Sequence, residues 1–271
     1  MKLKYLGTGA SEGIPGVFCP CPVCENARLV KGREIRTRSG ALLDDWILID
    51  LPPDTYAHAL THGIALGALR SLLVTHSHHD HFAVREIEYR HRIFANLPDD
   101  APPLVVYGNS AVGQALGSLS HDMTGRVAYH QMKAFETTDI DGYRITPLPA
   151  DHNPAEDCFI YYIERDGRRL LYAHDTGEFP EAVFEWLAGR ETHLVSLDCT
   201  LEGRDHSRGH MGFPANMRMR DRMRAVGAAH DDTVFVSNHF SHNGGMTHAQ
   251  LVDLARPEGF LIAWDGLELT V

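Results

Sequence analysis

At least ten short runs rich in β-branched and aromatic residues recur along the 271-residue chain, each closed by glycine or polar punctuation. They are LKYL (3–6), WILID (46–50), SLLVTH (71–76), PLVVYG (103–108), YRITPL (143–148), FIYYI (159–163), RLLYAHD (169–175), HLVSLD (193–198), TVFVSNH (233–239) and FLIAWDG (260–266). Helical spacing of apolar residues fills 55–62, 83–96, 110–119, 180–187, 215–229 and 247–255. The stretch YYIERDGRRLLY, with Asp166-Gly167 at its tip, predicts an antiparallel hairpin. Ten strands exceed a comfortable single sheet, so two mixed sheets packed face to face with helices outside are expected. No linker, repeat or low-complexity tract interrupts the series, and 1–271 reads as a single domain.

The strongest chemical signal follows the apolar run SLLV. It is Thr75-His76-Ser77-His78-His79-Asp80-His81, of the form HxHxDH. Such imidazoles and a carboxylate at the end of a buried strand are nitrogen and oxygen donors that Zn, Mn or Fe accept. One cluster cannot fill two coordination spheres, and later strands deliver further polar residues at their tips. These are His152 after YRITPLPA, Asp175 at the end of RLLYAHD and His239 at the end of TVFVSNH. Asp50 and Asp198 end strands in the same way and read either as acceptors for ligand imidazoles or as turn and capping residues.

HxHxDH together with His152, Asp175 and His239 resembles the metallo-β-lactamase superfamily, which implies an αββα sandwich with a metal site at one edge. By that resemblance His76, His78 and His152 hold one ion, Asp80, His81 and His239 a second, and Asp175 bridges them. Seven ligands overfill a tetrahedral ion, and a carboxylate has two oxygens with which to bridge. The expected cofactors are two divalent transition-metal ions, Mn or Zn, with Fe also acceptable, and the implied reaction class is hydrolysis.

Five cysteines are an odd set, and three crowd together as Cys19, Cys21 and Cys24. This reads as a metal knuckle in a reducing compartment, a zinc-knuckle loop at 18–25, rather than a disulfide framework. A structural zinc needs a fourth ligand, and His239-Phe240-Ser241-His242 suggests His242, with Cys199 or His206 as alternatives. A zinc so placed ties the knuckle to the segment bearing His239.

The CxCxxC knuckle, HxHxDH and HxSH at 239–242 together look like the phosphoribosyl 1,2-cyclic phosphate phosphodiesterase family of phosphonate metabolism, the PhnP type. The likeness runs almost end to end, through GTGASEGIP (7–15), LIDLP (48–52), LPADH (148–152), HDTGEFPE (174–181), LDCT (197–200), RGH (208–210) and WDGLEL (264–269). It implies a phosphodiesterase that opens a small cyclic phosphate ester through hydroxide held by a dinuclear metal centre. His210 matches the family's general acid, a role for which imidazole has a suitable pKa, and Asp80 is counted with it among the catalytic groups. The segment 201–214 is the least similar.

A formal charge of −11 repels polyanions, so nucleic acid and anionic membranes are poor partners and a small phosphodiester is the expected one. The N-terminal MKLKYLGTGASEGIPG lacks an apolar signal core, and no stretch approaches the roughly 18 apolar residues of a membrane span. The expectation is a cytoplasmic protein for which a homodimer is allowed. Three other readings use the same residues: RNA 3′ processing as in ribonuclease Z, carboxylic ester or lactone hydrolysis, and a non-catalytic carrier resembling pyrroloquinoline quinone biosynthesis protein B. Intact metal ligands oppose the carrier, and the missing basic insertion opposes RNA processing. Of the remaining features, GTGASEG reads as a turn, Arg33, Arg36 and Arg38 as a solvated face, and His91 as a packing residue beside Val84, Ile87 and Phe94.

Overall fold

The structure, a computed structural model, describes residues 1–271. The first half of the chain builds one sheet. In it β1 (Lys2–Gly7), β2 (Gly40–Leu43), β3 (Ile47–Ile49), β4 (Ser71–Leu73), β5 (Leu104–Gly108) and β6 (Val127–Gln131) lie side by side in chain order. The second half builds another, also in chain order. It comprises β7 (Thr138–Ile140), β8 (Tyr143–Pro149), β9 (Phe159–Arg165), β10 (Arg168–Ala173), β11 (Leu194–Asp198), β12 (Val234–Asn238) and β13 (Phe260–Ile262). Then β14 (Glu268–Thr270) returns to pair antiparallel with β1. The α-helices are α1 (Pro22–Val30), α2 (Thr55–His62), α3 (Ser110–Gly117), α4 (Glu181–Leu187), α5 (Phe213–Ala225) and α6 (His248–Ala255).

Side-chain alternation along the strands decides the layers. Leu3, Tyr5, Leu43, Ile49 and Leu73 of the first sheet meet Tyr143, Phe159, Tyr161, Leu170 and Tyr172 of the second in one buried cluster. On the far face of the first sheet, Leu6, Leu42, Leu48 and Leu72 pack with Val112 of α3. On the far face of the second, Ile160, Tyr162, Leu171, Val195 and Leu197 pack with Phe184 of α4, Phe213 and Met219 of α5 and Leu251 of α6. The result is the αββα sandwich that the strand count and the resemblance led us to expect. Each buried Leu or aromatic ring contributes roughly 1.5–3 kcal/mol, so the inter-sheet layer makes a rigid base for loops at its edge.

The predicted hairpin is present: Arg165 pairs with Arg168 across Asp166 and Gly167, whose φ values of 50° and 73° are those of a type I′ turn. Other expectations need correcting. The helix expected over 83–96 is a 3₁₀ turn over Val84–Arg90. Its entry is set by Phe82, which bridges to Leu51, and by Ala83, whose N–H is held by the Leu51 carbonyl, so ladder pairing rather than helical phase fixes the backbone. His91 is only partly buried and Phe94 is 51% exposed, so of that stripe only Ile87 is core, with Val84 packed against it. The knuckle at 18–25 is half helix, because Pro22 starts α1 and places Cys24 in its first turn. Arg36 is buried rather than solvated. Its guanidinium donates to the Thr8 hydroxyl at 2.9 Å and the Ala263 carbonyl at 2.7 Å, and lies over the Phe240 ring. No helix is long and apolar enough to cross a membrane.

Candidate metal centre and cleft

Strand direction gathers the site. β8 and β10 are both antiparallel to β9, while β10, β11 and β12 are mutually parallel, so the residues following their C-terminal ends reach one edge. These residues include His152, Asp175, Asp198 and His239, and the loop after β4 brings His76 to His81 to meet them. Asp50, Asp175 and His239 turn off their strands with φ of 62°, 54° and 63°. For a non-glycine residue that left-handed conformation costs roughly 1–2 kcal/mol, and here buried hydrogen bonds hold it in place.

Two sets of donor atoms meet at one oxygen. In the first, Asp175 Oδ2 lies 3.2 Å from His76 Nε2 and 3.3 Å from His152 Nε2, while His78 Nδ1 lies 2.9 Å and 3.2 Å from those same nitrogens. In the second, His81 Nε2 lies 3.2 Å from Asp175 Oδ2, 3.4 Å from Asp80 Oδ2 and 3.2 Å from His239 Nε2. Two oxygens of Asp175 were expected to bridge. Instead the same Oδ2 faces both sets, and Oδ1 turns towards His210, whose Nδ1 is 3.0 Å away.

The donors fit divalent transition ions. Four nitrogen or oxygen ligands about 2.0–2.1 Å from a tetrahedral ion stand about 3.3 Å from one another, close to the separations found here. The tautomers agree. His81 Nδ1 lies 2.7 Å from the buried Asp50 carboxylate, and His239 Nδ1 lies 2.8 Å from Thr200 Oγ1, which itself donates to Asp198. In their neutral forms both rings commit Nδ1–H outward and leave two Nε2 lone pairs facing each other, an arrangement that a cation relieves. Burial opposes the charge of His81, but Asp50, Asp175 and Asp80 raise its pKa well above the usual histidine range, so a proton competes with a metal ion for that place. Burial, and then His81 nearby, push the His76 pKa down, favouring the neutral donor form. Burial opposes the charge of Asp175, but His239, His210, His76 and His81 around it hold its pKa well below the usual carboxylate range. The structure thus decides the open roles of Asp50 and Asp198: both accept from imidazoles of the donor sets, directly or through Thr200.

His210 is held differently from the other imidazoles. Its Nδ1 sits 3.0 Å from Asp175 and 3.4 Å from Asp198. Burial works against its charge, and these two carboxylates more than offset that, raising its pKa to about 10. Nδ1 is the anchored nitrogen, which leaves Nε2 for a bound molecule.

The knuckle also assembles. Cys19, Cys21, Cys24 and His242 place their donor atoms within 4.8 Å of one another. His242 Nδ1 is 3.7 Å from Cys19 Sγ and 3.6 Å from Cys21 Sγ, near the roughly 3.6 Å edge expected between sulfur and nitrogen on one tetrahedral zinc. The alternative ligands lie elsewhere: Cys199 is buried, with its thiol towards the Glu202 carbonyl, and His206 is exposed and bonded to the Arg208 carbonyl.

A cleft of about 360 Å³ opens over the centre, walled by His78, Asp80, His152, Asp175, His210 and His239, with Glu12, Thr200, Ser241 and Asn243 at its rim. A larger apolar cavity of about 550 Å³ lies between α2 and the 3₁₀ turn, but none of the four donor clusters reaches it. Sequence reasoning missed three supporting residues. Thr200 fixes the His239 ring, Glu156 receives Ser77 N–H and hydroxyl at 3.0 and 2.9 Å and so anchors the HxHxDH loop, and Glu12 enters the cleft. Glu12 left a trace as an acid inside a glycine-rich turn, and Thr200 as the last residue of LDCT, whereas nothing local marks Glu156.

The family model of the beta-lactamase superfamily domain matches residues 45–234. Ribonuclease Z of Mycobacterium bovis is 26% identical over 192 residues, which cover 65% of this chain and 63% of the relative, so the match spans less than two thirds of that protein. Among solved structures, a diphosphatase of the PhnP family superposes with a TM-score of 0.75 at 23% identity, covering 100% of this chain and 97% of the other. Zinc-bound PqqB from Methylobacterium extorquens superposes with a TM-score of 0.72 at 19% identity, with 100% of both chains covered. At these identities the structural likeness is one of fold.

Proposed function

Because this chain belongs to the beta-lactamase superfamily and has the metallo-β-lactamase fold, we propose that it is a metal-dependent hydrolase, a phosphodiesterase opening a small cyclic phosphate ester of the phosphoribosyl 1,2-cyclic phosphate kind. One observation carries the reading: two donor sets share Asp175 Oδ2, while the other oxygen of the same carboxylate faces His210 at the wall of the cleft. In this reading His76, His78 and His152 hold one divalent ion, Asp80, His81 and His239 a second, and Asp175 both. Cys19, Cys21, Cys24 and His242 hold a structural zinc. When bound, the paired ions supply Lewis acidity towards a phosphoryl group and acidify the attacking water.

The chain's own residues do the rest. Asp50, Thr200 and Asp198 fix the rings of His81 and His239 so that their lone pairs point inward. Asp175 and Asp198 orient His210 through Nδ1, and Nε2 donates a proton to the departing sugar oxygen, a poor leaving group as an alkoxide. The cleft of about 360 Å³ suits a sugar phosphate, at the small end of ligand pockets. Metal-loaded protein should hydrolyse bis(p-nitrophenyl) phosphate and ribose 1,2-cyclic phosphate, and His76→Ala, Asp175→Ala or chelation should abolish both. Turnover that survives all three overturns the reading.

The likeness to ribonuclease Z favours a second reading, RNA 3′ processing. The charge of −11 opposes it, as does a cleft lined by no lysine or arginine, since a polyanion requires a cationic track. Faster cleavage of a precursor tRNA than of any cyclic phosphate would decide for it.

A further inference from the structure

We propose that Glu12 is the specificity-determining residue of the cleft: it receives a hydroxyl of the substrate's sugar or polyol part and turns away substrates carrying a second anionic group at that wall. The inference rests on the phosphodiesterase reading and names the substrate class within it.

The GTGASEG turn offers a row of backbone amides, the usual material of a phosphate cradle. Most of those amides are already engaged, while the Ser11 and Glu12 N–H groups have no backbone partner. Gly9 N–H donates to the Thr37 carbonyl, Ala10 N–H to Phe240, Gly13 N–H to Ala10 and Ile14 N–H to Arg36. Beside those two free amides the turn brings the Glu12 carboxylate to the cleft, so any anion drawn to them also meets a fixed negative charge. It is braced from behind: Oε1 accepts from the Ser241 hydroxyl and from Asn243 Nδ2 at 3.1 Å, with His242 Nε2 at 3.7 Å. Oε2 has a single long partner, the Ser11 hydroxyl at 3.3 Å, and the side chain remains 29% exposed. No lysine or arginine pairs with Glu12, and none lines the cleft.

A carboxylate is an acceptor only. Held rigidly beside a phosphoryl site with no cation of its own, it binds a hydroxyl donor, and it repels a phosphate or carboxylate. Its rim neighbours Ser11, Thr200, Ser241 and Asn243 are polar and neutral, which suits a hydroxylated group. The wall therefore selects a cyclic phosphate whose groups on that side are uncharged hydroxyls, so that a second phosphate, as in a phosphoribosyl 1,2-cyclic phosphate, is accepted only where it points away from Glu12.

The test uses a matched pair differing by one hydroxyl, glycerol 1,2-cyclic phosphate and propane-1,2-diol cyclic phosphate, together with the 3-phosphorylated form of the former. Metal-loaded wild type should prefer the hydroxylated member about ten- to a hundredfold in kcat/KM, as expected for a hydrogen bond to a charged acceptor. Glu12→Ala should erase that ratio. Glu12→Gln should keep part of it and raise kcat/KM for the phosphorylated form. A ratio that is the same in Glu12→Ala as in wild type overturns the assignment, as does loss of both activities together with the knuckle zinc by metal analysis, which would make Glu12 a brace for His242. Wild type that hydrolyses both members equally also overturns it and leaves the phosphodiesterase reading standing. Wild type inert towards every phosphodiester refutes that broader reading instead.

Discussion

Asp50→Asn offers a sharp probe of the metal centre because it keeps the side chain's size and shape while replacing a charged acceptor by a neutral donor. Asp50 and His81 are both buried, with His81 Nδ1 2.7 Å from Asp50 Oδ2, while Asp50 Oδ1 accepts Thr75 N–H at 2.8 Å. A carboxylate accepts on both sides. An asparagine that keeps its carbonyl on Thr75 must present Nδ2–H₂ to His81, so the imidazole moves its own proton to Nε2 to accept. That nitrogen is the one 3.2 Å from both Asp175 Oδ2 and His239 Nε2, so the proton now occupies the side on which an ion would bind. Loss of such an outer partner weakens metal binding about 10- to 100-fold, roughly 1.4–2.7 kcal/mol. Calorimetric metal titration of chelator-stripped protein should show one site weakened by that factor. The site formed by His76, His78 and His152 should stay within about threefold of wild type, and activity should return at high metal concentration. Two sites of unchanged affinity would refute the tautomer argument. Equal loss at both sites, with a lowered Tm, would show that Asp50 only supports the fold.

Further expectations follow from the same geometry. His210→Ala should cut kcat/KM for an alkoxide-releasing cyclic phosphate by about 10²–10⁴ and for bis(p-nitrophenyl) phosphate far less, since p-nitrophenolate leaves unprotonated; equal losses would remove the acid role. Cys21→Ser should lower the zinc content and Tm and weaken metal binding beside His239, because Phe240 and Ala10 join the knuckle side to the site through backbone bonds of 2.8–2.9 Å; wild-type zinc stoichiometry would argue against a knuckle zinc. Burial holds the His58 pKa down at about 4, and burial with the Arg36 guanidinium does the same for His248. A depressed histidine pKa means that the unfolded chain binds protons first. Stability is therefore full above about pH 6.5 and lost as pH falls towards 4, by roughly 1–2 kcal/mol per histidine at pH 5. Urea midpoints at pH 7 and pH 5 should show the decline, and a folded His58→Gln variant should show a shallower one; an unaltered slope would contradict it.

Much of this architecture was legible because two short-range patterns carried it. An apolar run bounded by polar residues, such as that within Arg168–Ala173, marks a buried strand, and a polar residue at the tip of such a run marks the site edge. Where those patterns were faint, reading failed. Gly40–Leu43 is too short and wholly buried to alternate, while Val127–Gln131 and Glu268–Thr270 are edge strands that exist because a neighbour pairs with them. The segment 83–96 had helical spacing, yet Leu51 set its entry through a contact no local pattern contains.

The order of residues along the chain was enough for the donor inventory: HxHxDH, His152, Asp175, His239, the three cysteines and His242 each carry their chemistry in their side chain. The arrangement needed long-range geometry. That Asp175 turns one oxygen to both donor sets and the other towards His210, that Asp198 serves both His239 and His210, and that Glu12 faces the cleft are relations between strands and loops distant in sequence. Side-chain type decides what an atom can donate or bind, but distance and direction decide which partner it meets. Those are set where the two sheets pack and their loops converge.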